Sequence, residues 1–166
     1  MDIYFENGGQ GEVAIPCLWE FLAKHTNIDA INKRQEKGFL FTIGDAATIR
    51  NEDIDETIER VIGDKPVSKS KKSSLDDILN EVQKKFHVFH IMIGGVGNKD
   101  ILAGHKICIA QKEVDLLPQI ILSTIQMQKG KKLDEILEQW DEIQRPTIRK
   151  ALSELALTDV GGAITL

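Results

Sequence analysis

Two segments of this chain, Phe39-Leu40-Phe41-Thr42-Ile43 and Val88 to Ile93, are almost continuously apolar rather than alternating. A strand wetted on one face alternates with period two. Unbroken runs rich in β-branched and aromatic residues therefore predict strands covered by helices on both faces, as in a parallel α/β sheet. Shorter strands are predicted at Ile3 to Phe5 and, more weakly, at Lys106 to Ala110. Helical periodicity fills the intervals. Val13 to His25 sets Ile15, Leu18, Trp19 and Leu22 on one face, with Pro16 in the first turn and Glu20 and Lys24 on the wet side. Asp53 to Ile62 carries Ile54, Ile58, Val61 and Ile62 as a stripe and stops at Gly63. Leu75 to Phe86, capped by Ser73 or Ser74, turns Leu75, Ile78, Leu79, Val82 and Phe86 inward. The order strand, helix, strand, two helices, strand, strand, helix is the rhythm of a doubly wound sheet. The expected fold is a three-layer, mostly parallel α/β sheet with extra C-terminal helices.

Those extra helices follow the weak strand. Val114 to Gln128 is apolar, with Pro118 near its start and Gly130 closing it. Lys132 to Ile143 and Thr147 to Leu157 form two amphipathic helices around Pro146, with Trp140 as a large anchor. The expected organisation is an α/β domain over 2–128, appended helices over 131–158 and a frayed tail over 159–166. With 42% hydrophobic and 28% charged residues the chain fits a soluble globular protein. The balance of 21 basic against 26 acidic side chains, net charge -5, argues against one cationic surface for nucleic acid or anionic lipid. No apolar run approaches the roughly 20 residues of a membrane span, and Met1 to Glu6 has no basic start, so the expected location is the cytoplasm. Cys17 and Cys108, far apart and each in an apolar segment, read as two buried, reduced thiols.

Three clusters are candidates for chemistry. Glu6-Asn7-Gly8-Gly9-Gln10-Gly11-Glu12 lies between a short strand and a helix, where glycines bring bare N–H groups close to an anion or a metal-bound ligand. Its Gly9-x-Gly11-x-x-Ala14 spacing fits the loose dinucleotide fingerprint, but no acid closes the next strand, because Asp29 falls in a helix-to-strand connection. The second cluster, Ile93-Gly94-Gly95-Val96-Gly97-Asn98-Lys99, echoes a phosphate loop through Gly95, Gly97 and Lys99, yet Asn98 interrupts the Gly-Lys pair and no Ser or Thr follows. The basic stretch after Asp64, with four lysines in Lys65 to Lys72, could assist it; its plainer reading is a solvated loop. The third is Gly44-Asp45, which ends the strongest strand. A carboxylate at the carboxyl end of a parallel strand sits where open α/β sheets bind ligands, and its oxygens suit Mg2+. The competing reading is turn chemistry. His87 and His90, three apart on a strand, point to opposite faces and do not share a zinc ion.

The run from Ile3 through IYFENGGQGE, the Trp-bearing helix, KHT and EKGFLFTIGD, then KKFHVFHIMIGG and LSTIQ, resembles the later part of von Willebrand factor A-like domains of a bacterial and phage type. The resemblance covers Asp2 to about Gln128. It implies a non-enzymatic protein-interaction domain in which a magnesium-like ion at the carboxyl ends of the strands bridges to a partner. In that family the ion is held by an Asp-x-Ser-x-Ser motif, a Thr from a second loop and an Asp from a third. Asp45 matches the third position; Gly8 to Glu12 corresponds to the second loop without a Thr, and the Asp-x-Ser-x-Ser motif is absent. The implied binding rim is Gly8, Gly9, Gly11, Glu12 and Gly44, with Asp45 as the metal position. The missing first strand implies a partner chain or a homo-oligomer that completes the sheet. The alternative from another class is a nucleotide- or phosphate-binding domain built on Gly94 to Lys99.

Overall fold

The computed structural model describes residues 14–46, 54–63, 73–94, 102 and 104–158. They fall into two compact units, one drawn from Met1–Lys37 and Ala46–Phe86, the other from Gly38–Asp45 and His87–Leu166.

The first unit is helical: α1 (Ile15–His25), α2 (Asp29–Arg34), α3 (Ile54–Ile62) and α4 (Leu75–Val82). Helix α1 starts with Pro16 in its first turn, where no intrahelical N–H is needed, and packs against α3 and α4. Its buried side is rotated from the expected one. Trp19 is fully buried, Cys17 and Glu20 flank it, and Leu18 stands 46% exposed. Glu20 tolerates burial because Lys24, one turn on, pairs with it at 2.6 Å. In α3 the stripe is Ile54, Thr57 and Ile58, and Val61 is exposed.

Helix α4 forms as the sequence predicts at its start. Ser74 is the cap: its Oγ accepts from the Asp77 N–H at 3.2 Å, and the Asp77 carboxylate accepts from the Ser74 N–H at 3.2 Å. The Asp55 carboxylate accepts from the Ser73 N–H at 3.2 Å, joining α3 to this start. Leu75, Ile78, Leu79 and Val82 are buried. Ser74→Ala is expected to cost about 0.5–2 kcal/mol in chemical denaturation, and Ser74→Asp is expected to restore most of it. The far end differs from expectation. The helix stops at Val82, and Phe86 begins a strand. Helix α2 replaces the expected connection around Asp29. It buries no side chain, and its exposed Asp29–Lys33 pair at 2.6 Å adds only slight support, so no apolar stripe announces it.

The second unit is an α/β structure: β1 (Gly38–Gly44), β2 (Phe86–Ile93), β3 (Lys106–Ile109), a 3₁₀ helix at Gln111–Leu116, α5 (Leu117–Gln128), α6 (Leu133–Leu137) and α7 (Arg145–Thr158). The sheet order is β1-β2-β3. Strands β2 and β3 are parallel, with His90 opposite Lys106 and Met92 opposite Cys108. The first pair is parallel too. Phe39 meets His87, Phe41 stacks on Phe89 and Thr42 bonds to His90, all at the same separation of 48 positions. All three expected strands among the described residues are thus present; Ile3 to Phe5 lies outside them.

Alternation gives the sheet two unlike faces. Phe39, Phe41, Phe89, Ile91, Ile93, Ile107 and Ile109 point into one hydrophobic core with Ile120, Leu137, Ile148, Ala151, Leu152 and Leu155 of α5, α6 and α7. Helices α6 and α7 therefore share the core of the strands. Pro146 lies inside the first turn of α7, not between two helices, and α6 ends at Leu137, well short of Ile143, which is exposed. Trp140 lies beyond α6 and donates its indole N–H to Ser123 Oγ at 2.9 Å. Gly130 closes α5 at φ +89, a left-handed conformation that favours glycine. The second face carries Thr42, Val88, His90, Met92, Lys106 and Cys108. Neither cysteine is in a disulfide, and Cys108 is exposed rather than buried, because β3 lies at one edge of the described sheet and Cys108 faces away from the core that takes Ile107 and Ile109.

Candidate functional site

Parallel strands end on the same side, so the carboxyl ends of β1, β2 and β3 converge. Strand β1 ends at Gly44, followed by Asp45 in an exposed bend. Strand β2 ends at Ile93, and the N–H of Gly94 just after it donates to the carbonyl of Ile109 at the end of β3, 2.8 Å away. Gly94 has φ +62, a left-handed conformation that favours glycine, whereas a Cβ there would make only ordinary contact with Gln111 at 3.5 Å. Beside it, Glu113 accepts from the Ala110 N–H at 2.9 Å and fixes the start of the 3₁₀ helix. The sequence reasoning did not find Glu113; its position three residues past Ala110, the cap of the 3₁₀ helix, is the capping signal that marks it.

Of the predicted rim, Gly44 and Asp45 are thus placed at the strand ends. Gly8, Gly9, Gly11 and Glu12 lie outside the described residues, as do Gly95, Gly97, Lys99 and the lysines of Lys65 to Lys72. Asp45 offers two oxygens where a hard divalent cation takes about six to eight. Among the described residues no group of three His, Cys, Asp or Glu side chains comes together to hold an ion. The described residues do not build a cation site by themselves.

Just behind the rim, on the second face of the sheet, sits a polar cluster that the sequence reasoning missed. His90 is 3% exposed and its Nδ1 lies 2.9 Å from Thr42 Oγ1. The Thr42 hydroxyl is also 3.4 Å from the Phe89 carbonyl, to which it donates. With the Thr42 hydroxyl directed at Phe89, the tautomer assigned to His90 has Nδ1 donating to Thr42 and a lone pair on Nε2, which has no hydrogen-bond partner among the described residues. Burial holds the His90 imidazole below its ordinary value of 6.5, and the positive charge of Lys106 on the adjoining strand adds to that; a hydrogen bond with the Thr42 backbone works the other way. The position of a Cβ on Gly44 would be 4.0 Å from His90 Cε1, so the ring lies directly against the end of β1. Opposite faces for His87 and His90 are as predicted, with His87 beside Phe39.

Comparison with known proteins adds no relative: no family model, no curated protein and no solved structure matches the chain.

Proposed function

We propose that this protein is a non-enzymatic protein-interaction domain, a partial von Willebrand A-like α/β structure that recognises its partner at the carboxyl rim of the sheet. One observation carries the reading: an exposed carboxylate, Asp45, at the end of β1, beside the glycine end of a parallel neighbour. Ligands of open α/β sheets collect at that edge because loops diverge there and leave a crevice. Asp45 serves as an acceptor for a partner's ammonium, guanidinium or N–H group.

The test places a photo-crosslinking side chain at position 45 and, as a control, at the exposed Lys150 of α7. A discrete adduct with a single protein from position 45 only is the expected result, and Asp45→Lys is expected to weaken that partner's binding roughly tenfold or more. Thermal shifts supply the opposing outcomes. A shift with Mg2+ that Asp45→Ala abolishes would add an ion to the rim. A shift with ATP or GTP alone, abolished by Lys99→Ala, would replace this reading with the phosphate-binding one.

A further inference from the structure

The orphaned nitrogen of His90 has a consequence for the strand pair it joins. We infer that the Thr42–His90 contact is a proton-sensitive latch: a proton taken up at Nε2 weakens the pairing of β1 with β2 and frees the Gly44–Asp45 end of β1. The latch stands whether or not the rim binds a partner.

The geometry supplies each part. In the neutral ring, Nδ1–H satisfies Thr42 and the bare Nε2 needs no donor of its own. Protonation turns Nε2 into a second donor, and within the sheet there is no acceptor for it. An added charge in so enclosed a place, at 3% exposure, is expensive unless it is paired. The neighbours in this unit give no such relief. Strand β1 contributes Thr42 and no charge, and β3 contributes Lys106 directly opposite, itself buried, and Cys108 one pair further on. His87 lies on the other face against Phe39, and His105, before β3, has its Nδ1 3.0 Å from the Val88 carbonyl. Two positive groups on adjacent strands repel, and parting β1 from β2 lets water reach the imidazole. Thr42 is two residues from Gly44, so loss of its contact with His90 acts on the carboxyl end of β1.

The direction with pH follows from linkage. An opened or unfolded chain takes up the His90 proton near 6.5, while the closed form takes it up only at lower pH. Between those two points the open state holds more protons, so closure strengthens as pH rises and weakens as pH falls. Well above 6.5 neither state holds the proton, and closure no longer depends on it.

The experiment follows the His90 ring by NMR in the full chain and, in parallel, amide-exchange protection factors from pH 7.5 to 5. Expected are a His90 titration below 6.5 and a several-fold loss of protection in Leu40 to Gly44 and Val88 to Met92 as it proceeds. His90→Asn keeps a donor at the Nδ1 position and cannot titrate, so its protection factors in these segments are expected to stay level over the same range. Lys106→Met removes the opposing charge and is expected to move the titration upward. A ring that titrates at or above 6.5 in the wild type, or protection in β1 that is independent of pH, overturns the inference; so does an unchanged pH step in His90→Asn.

Discussion

A chain ended after Gly130 is expected to lose the α/β unit altogether, without a cooperative unfolding transition for the sheet. The residues removed include Leu137, Ile148, Leu152 and Leu155, all buried in the same cluster as Phe89, Ile91, Ile107 and Ile109. Each such side chain contributes about 1.5–3 kcal/mol on burial, so the four supply roughly 6–12 kcal/mol. A folded domain has only about 5–15 kcal/mol of net stability. The strands alone would present an uncovered apolar face to water. A gentler change tests the same cluster. Leu152→Ala, at a fully buried position of α7, is expected to cost about 2–5 kcal/mol in urea denaturation. Dispersed methyl resonances from Ile91 and Ile107 in the shortened chain would show instead that the sheet stands without these helices.

The two tryptophans should respond in opposite ways to the same substitution. Trp19 is fully buried and its indole N–H has no partner among the described residues, whereas the Trp140 N–H is bonded to Ser123, whose side chain is also fully buried. Trp19→Ala opens a large cavity and is expected to cost about 3–5 kcal/mol. Trp19→Phe keeps most of the volume and removes a buried, unsatisfied donor worth about 1–3 kcal/mol, so it is expected to recover much of that loss. Trp140→Phe instead strands the Ser123 hydroxyl, and adding Ser123→Ala is expected to return part of the stability. Fluorescence follows each case, since one tryptophan always remains as a reporter. A Trp19→Phe chain as unstable as Trp19→Ala would mean that the indole nitrogen has an acceptor.

The strands of the described sheet were legible because their apolar runs are dense, and density survives ignorance of register. The rotated face of α1 was not. Leu18 and Glu20 exchange the places that hydrophobicity assigns them, since the bulk of Trp19 sets the centre of the buried stripe and the Lys24 partner lets a carboxylate lie on its flank. Phe86 read as the last turn of a helix because it continues the spacing of Leu75, Ile78, Leu79 and Val82; the turn at Gln83–Lys85 hands it to β2. Asp45 was legible from its place after a strand, a local signal. The Thr42–His90–Lys106 cluster was not, because its members come from three separate strands and meet only through register.

The unlike faces of the sheet also guard its assembly. A slip of β1 by a single position along β2 would turn every side chain of β1 over. Thr42 would then enter hydrocarbon among Phe89 and Ile91, and Phe41 would be turned toward the side that holds His90 and Lys106. Such a slip thus buries a hydroxyl among apolar side chains and leaves the imidazole without its partner, so the unlike faces of the pair disfavour it.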